Sequence, residues 1–318
     1  MRILILIGIF AVLVSCGSKK KQAELLEQTK PHWLKERPIN GGYYYGIGIT
    51  PKIGSPMLYE DKAKERALAD ISSQINSTIE AEAILYQVED KNGVMDYLQN
   101  RIKSTSAGYL EGYEYIDKWE DLSNVYVFYQ LSKQKYREIM TRRKNEAMQS
   151  AKEKYLAGLG FLRAKSHVNA IEHFAMCIDV LSGYLNESTS TLIEGQNVDL
   201  VAESKGEITR LIGDLSLVQA DLNVATSGFI VYSTDDANVG NMPVRFKFAG
   251  GYLTNDLAKT DERGFVIFPE LPKSENNEKH YLKVEIDLIN LARQVTKNLY
   301  VRKVIEHQKA AEISVQTK

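Results

Sequence analysis

The chain has 318 residues, enough for two or three domains at the usual 100–200 residues each. Its 40 Lys and Arg against 41 Asp and Glu leave a formal net charge of -1, with acids and bases well mixed. No domain-wide basic excess exists, which excludes nucleic acid as an expected partner.

Met1-Arg2 supplies one positive charge, and residues 3–14 are apolar apart from Gly8. A basic start before a short apolar run reads as a secretory signal, too short to span a bilayer permanently. The run ends in Leu13-Val14-Ser15-Cys16-Gly17, a string that resembles a bacterial lipobox. An ordinary secretory cleavage site would want a small residue where Leu13 stands. The resemblance implies that residues 1–15 are a lipoprotein signal peptide. It also implies that Cys16 carries a diacylglycerol on sulfur and an N-acyl chain of the palmitate type. Each methylene buried in the bilayer adds about 0.8 kcal/mol, so several chains make a firm anchor.

Residues 16–30 then form a lipidated tether, small and basic at Gly17-Ser18-Lys19-Lys20-Lys21-Gln22. Its lysines add attraction for anionic headgroups of about 1 kcal/mol each. Position 17 is not Asp, and no acidic run follows Cys16. The expectation is therefore a cell outer-membrane protein, lipid-anchored, with its body facing the periplasm. Cys177, the other cysteine, is then alone in an oxidising compartment, either buried or intermolecular. Its helical surroundings favour burial.

Residues 31–137 read as a small domain of sheet plus helix. Gly41-Gly42-Tyr43-Tyr44-Tyr45-Gly46-Ile47-Gly48-Ile49-Thr50 has the aromatic and β-branched character of a strand bounded by glycine and proline. Ser55-Pro56 starts a helix, with Glu60 and Asp61 near its positive end. Ala63, Ala67, Ile71, Ile75 and Ile79 recur every four residues and give that helix a slim face for close contact with a sheet. Two further strands are expected near 108–118 and 124–132. In the second, Val125, Val127 and Tyr129 point one way and Tyr126 and Phe128 the other. Gly46-x-Gly48 is no nucleotide fingerprint, because Pro51 stands where a third glycine is needed. These glycines fit close helix–strand approach instead. Tyr43, Tyr44 and Tyr45 are candidate partner or ligand contacts, with a core-and-rim role as the alternative.

Pro31-x-Trp33-Leu34, the YYYGIGIT strand and the helix AKERALADISSQINSTI together resemble the LPP-twenty lipoprotein family. The same domain type occurs in the N-terminal part of flagellar assembly protein T. The resemblance covers about a third of the chain and implies a small α+β envelope domain with no catalytic residues to carry over.

Residues 138–216 read as helical. The stretch 133–181 is nearly continuous helix broken near Lys165-Ser166, and Gly158, Phe161, Ala170, Phe174 and Cys177 resemble one tetratricopeptide hairpin. Lys154 and Ser182 stand where that pattern has Trp and Pro. A third helix near 197–215 would pack on it through Val201, Ile208, Leu211, Ile212 and Leu215. This part is either a partner-binding groove or a spacer.

Residues 217–318 read as an all-β sandwich, with strands around 228–232, 243–248, 264–268 and 281–286. The Thr260-Asp261-Glu262-Arg263-Gly264 turn and its flanks look like bacterial immunoglobulin-like or transthyretin-like modules. Asp235, Asp236, Asp256 and Asp261 invite a calcium reading, but no alternating ligand loop with a closing Glu is present, so no metal is expected.

No Gly-x-Ser-x-Gly, metalloprotease His pair or phosphate loop occurs. His32, His167, His173, His280 and His307 are scattered, and six residues separate His167 from His173, which puts them on different helical faces. The sequence thus names no catalytic residue and no cofactor beyond the lipid on Cys16. It suggests an α+β multidomain, non-enzymatic lipoprotein that meets the membrane by its anchor and envelope proteins by its modules. The alternative is a ligand- or cell-wall-binding lipoprotein, with peptidoglycan or another glycan held at Tyr43–Tyr45 or the sandwich loops.

Overall fold

The computed structural model describes residues 27–81, 94–107, 110–223, 226–272 and 280–317. The signal segment, Cys16 and most of the tether lie outside the described residues. The chain is an α+β protein of helices and antiparallel sheets. It divides into two compact units: the described parts of Met1–Ala83 with Ser106–Thr141, and of Ile84–Thr105 with Arg142–Lys318. Among the described residues, no helix is long and apolar enough to cross a membrane.

In the first unit a short helix α1 (His32–Lys35) precedes strand β1 (Tyr43–Pro51) and the long helix α2 (Pro56–Ala81). Strands β2 (Glu114–Glu120) and β3 (Asn124–Ser132) follow, giving an antiparallel sheet of order β1-β3-β2. β1 and β3 pair without interruption from Tyr43 opposite Ser132 to Pro51 opposite Asn124. The four-residue spacing on α2 does what it suggested. Ala63, Ala67, Ile71 and Ile75 are all buried, and the first two cluster with Val125 and Val127 of β3, while the side chain of Ile79, the fifth of the series, lies outside the described residues. The helix comes so near the strand that a Cβ at Gly46 would fall on the Ala67 carbonyl, and one at Gly48 on the Ala63 carbonyl.

The second unit contains the described helix α3 (Val94–Ala107) up to position 105, and helix α4 (Lys133–Arg163) from position 142. Helices α5 (His167–Leu181) and α6 (Leu200–Gly213) flank a two-stranded hairpin of β4 (Ser190–Ile193) and β5 (Gln196–Asp199). The α4–α5 break is a Schellman stop. Lys165 takes φ 57°, Ser166 N–H reaches the Phe161 carbonyl and Lys165 N–H that of Leu162, both at 2.9 Å. Gly158 leaves room for the Phe174 ring, which is fully buried beside Tyr155. Cys177 is buried too, and its thiol is pushed up to about 11, chiefly by burial. Asp199 caps α6 by accepting the Val201 and Ala202 amides. Of the residues expected to pack this helix, Val201, Ile208, Leu211 and Ile212 are buried on it, whereas Leu215, also buried, stands past its end and opens the next strand.

After α6 the chain forms β6 (Leu215–Asn223), β7 (Thr226–Ser233), β8 (Pro243–Phe248), β9 (Leu257–Lys259), β10 (Phe265–Ile267) and β11 (His280–Ile286). Helices α7 (Leu288–Val295) and α8 (Leu299–Glu306) and strand β12 (Glu312–Thr317) complete it. The sheets run β10-β7-β6 and β12-β11-β8-β9, and Phe229 of the first meets Phe246 of the second at 6.3 Å between centroids. The Thr260–Gly264 turn forms as expected, with Asp261 accepting the Arg263 and Phe265 amides and Gly264 at φ 72°.

Two features depart from the sequence reading. The C-terminal part is not all-β, because α7 and α8 interrupt it, capped by Asp287 and Asn298. Leu288, Leu291, Ala292 and Val295 have helical spacing and are buried, so the polar caps convert an apolar stretch into amphipathic helix. In addition, one hydrophobic cluster runs from Val94 through Phe174 and Ile212 to Phe229, Val284 and Ile305. It crosses positions 216 and 217, where composition changes most.

Gly48→Ala is expected to destabilise the first unit by about 2 kcal/mol, the cost of overpacking a site that cannot yield. Gly41→Ala, with open space around it, is the control, and urea midpoints compare the two. Asp287 supplies a pH prediction. Burial pushes its carboxyl up, but the Asn290 amide and the Arg245 guanidinium 2.7 Å away outweigh that and hold it below its ordinary value. A depressed folded-state value contributes stability that is full above the unfolded carboxyl's value near about 4 and is lost as pH falls through the folded one. Asp287→Asn should therefore cost about 2 kcal/mol at pH 7. Its deficit against the parent should shrink as pH drops below about 4, as read from denaturant midpoints at both pH values.

Candidate functional site

Strand alternation separates the three consecutive tyrosines. Tyr44 turns toward α2, packs with Ile71, Ile75 and Leu131, and meets Tyr136 edge-on at 6.0 Å. The Lys133 ammonium lies 5.0 Å from its ring centre. Tyr44 thus packs on the helix side of the sheet, with the same intermediate exposure as its two neighbours. Tyr43 and Tyr45 point to the other side of the sheet, stacked at 6.0 Å, and are only half-buried.

On that side the rings continue. Tyr45 meets Phe128 at 5.5 Å, and Phe128 stacks on Trp33 at 5.2 Å with planes 16° apart. The Trp33 indole N–H donates to Asp117 at 2.8 Å, which fixes the ring against the sheet. Farther along, Trp119 meets Tyr126 at 5.3 Å. Ile47 lies directly opposite Phe128 and Ile49 opposite Tyr126, so both join this face, Ile49 largely exposed. The result is a flat aromatic and aliphatic surface on the side of the sheet away from α2. Trp33 and Phe128 are buried within it, while Tyr43, Tyr45, Trp119 and Tyr126 are partly open.

The free edge of β1 is shielded by side chains. The Tyr45 carbonyl accepts from Arg37 at 2.6 Å and from Gln74 at 2.7 Å, and the Ile47 amide donates to Asp70 at 3.1 Å. Arg66 donates to the Ile49 carbonyl. Arg37 also pairs with Asp70 at 2.8 Å. Backbone groups spoken for in this way do not recruit another strand, so a partner that meets this side of the sheet meets the face rather than the β1 edge.

The acids of the second unit serve local structure. Asp256 pairs with Arg245 at 3.1 Å, and Asp235 accepts from the Ser233 hydroxyl and lies 3.8 Å from His167. His173 packs on Phe161, with ring centres 4.6 Å apart. Among the described residues, no group of three or more His, Cys, Asp or Glu is placed to hold a metal.

Sequence reading named Tyr43 and Tyr45 but missed Trp33, Trp119 and Tyr126 as members of the same surface. The signal was present for Tyr126 and Phe128, whose alternation against Val125 and Val127 put them on the face away from the helix. Trp33 lies outside the sheet in sequence, and only its stacking on Phe128 recruits it. Trp33→Ala should cost the first unit about 3 kcal/mol, the usual range for deleting a buried indole. Tyr43→Ala, at the half-open end, should cost within about 1 kcal/mol. Thermal melts of the two variants separate the structural part of the face from the part free to meet a partner.

Compared with known proteins, the chain matches no family model, no curated protein and no solved structure.

Proposed function

We propose that the chain is a non-enzymatic outer-membrane lipoprotein, anchored through acylated Cys16 and facing the periplasm, that acts as a structural or accessory subunit of an envelope assembly. The observation that carries this reading is the partly open aromatic face of the first unit, presented on a sheet whose β1 edge is shielded. Large, stiff aromatic side chains cover much area at little entropic cost, which suits a protein interface. In this reading the first unit is an LPP-twenty-like domain, the α4–α5 pair a single tetratricopeptide-like hairpin, and the facing sheets a β-sandwich strut.

A second reading rests on Tyr43 and Tyr45. Two stacked, half-exposed rings also offer a platform for a sugar, so a cell-wall glycan is the competing ligand.

The test is affinity purification of the full-length acylated protein from gently solubilised envelopes, with mass spectrometry of what accompanies it. A reproducible set of envelope proteins is expected, lost from the Tyr43→Ala/Ile49→Ser variant while its melting temperature holds. Recovery of the protein alone defeats the assembly reading, and recovery with wall fragments favours the glycan. Cys16→Ser should lose palmitate labelling and leave the membrane fraction.

A further inference from the structure

At one end of the first-unit sheet, the loop leaving β1 and the β2–β3 turn lie side by side. The Lys52 amide donates to the Ser123 carbonyl at 2.8 Å, and the Lys52 ammonium donates to the Asp121 carbonyl at 2.8 Å. The two loops are therefore one tip. It exposes large aliphatic side chains: Ile53 at 75%, Met57 at 76%, Leu58 at 47% and Leu122 at 69%. Gly54, at φ 91°, turns the first loop, and a Cβ there would come within 3.0 Å of Leu58 Cδ2.

No charged residue occurs from position 53 to 59 or from 122 to 124. The charges directly behind the tip are already satisfied. Lys52 pairs with Glu120 at 2.7 Å, Glu120 with Lys118 at 3.0 Å, and Lys118 with Glu60 at 2.9 Å. The Asp121 carboxylate accepts the Ser123 and Asn124 amides and the Tyr126 hydroxyl. Of these five groups the two cations are both paired, and the remaining carboxylate, Asp121, is held at the base by three hydrogen bonds, so shallow entry of the apolar side chains into a medium of low polarity strands no bare ion there.

We infer that this tip, Ile53, Met57, Leu58 and Leu122, inserts shallowly into the interfacial region of the bilayer that holds the lipid anchor. The inference rests on the Cys16 anchor proposed above, and chain length makes it feasible. Fifteen residues lie between Cys16 and His32, a span of at most about 55 Å when extended. The nine-residue strand β1 that separates the tip from the tether's point of entry is about 30 Å long. The tether therefore reaches far enough for the tip to touch the same membrane. The occupant is lipid rather than protein because the exposed side chains are all aliphatic, Ile53 and Leu122 on the two loops and Met57 and Leu58 on the first turn of α2, and the tether holds them near a bilayer. The aromatic rings, in contrast, lie on the flat face.

The experiment uses the acylated full chain in vesicles of phosphatidylethanolamine and phosphatidylglycerol. A polarity-sensitive fluorophore is placed at Leu122→Cys, with Cys177 buried and protected from labelling. Lipids brominated on their acyl chains should quench this label at least about threefold more than the same label at Asn40→Cys. Adding Ile53→Asp and Met57→Asp should remove most of that excess. Equal quenching at the two positions, or an excess untouched by the aspartates, overturns the inference. The mass of the N-terminal peptide reports the anchor independently. If it carries no acyl group, the anchor reading fails, and the label is then read on unanchored chain carrying Cys16→Ser, so that position 122 alone is labelled, mixed with the same vesicles. There the absence of any excess quenching still overturns insertion of the tip.

Discussion

The approach of α2 to β1 governs the first unit. Two glycines on the strand and two alanines on the helix remove the side chains that would hold the backbones apart, and the Ala63 and Ala67 carbonyls occupy the space. Everything around them follows from that distance. A helix lying this close brings Asp70, Gln74 and Arg66 within hydrogen-bonding reach of the outward groups of β1, and they close its edge. The same contact decides which sheet face is covered. Tyr44 is trapped against Ile71 and Ile75, and Tyr43 and Tyr45 are left with Trp33 and Phe128 on the opposite side. The candidate interaction surface is thus a consequence of small residues that never touch it.

The second unit is organised differently, around a shared apolar core rather than one seam. Phe174 fills the gap over Gly158, and the cluster around it extends through α6 into both facing sheets and onto α7 and α8. Polar residues govern the entries. Asp199 caps α6 and accepts from Thr189, and Asn298 caps α8 and donates to Asp179. Asp287 caps α7 while paired with Arg245. Buried polar groups of this kind cost little when satisfied and fix the register of the elements they join. Such a core ties the helical and strand-rich segments into one cooperative body, and cutting the chain between them would expose apolar surface on both pieces.

Much of the local structure was legible because the signals were local. Ser55-Pro56 marks the start of α2, four-residue spacing gives its buried face, and the alternation of β3 assigns Val125 and Phe128 to opposite sides. The C-terminal helices were equally legible in principle. Asp287 followed by Leu288, Leu291, Ala292 and Val295 is a cap and an apolar stripe, yet the surrounding strands drew the reading toward all-β. The β4–β5 hairpin carried its turn in Glu194-Gly195, both with positive φ. The α3 helix had a weaker pattern, and the residues its Arg101 reaches, Asp179 and Ser182, lie some eighty positions away.

The sequence by itself determined the periodicities, the caps, the turn at Asp261–Gly264 and the absence of a recognisable catalytic motif, since each is set by neighbours a few residues apart. It also determined that Gly46 and Gly48 face a helix. Only the tertiary structure decided that Tyr44 packs against Ile71 and Ile75 while Tyr43 and Tyr45 lie on the opposite side, because that depends on which face α2 takes. Only it brought Trp33 onto Phe128, and Ile53 beside Leu122, pairs joined by packing and hydrogen bonds between segments distant in sequence. Long-range contacts of this sort leave no fixed spacing in the chain, so the surface a partner would meet emerges only when the segments are assembled.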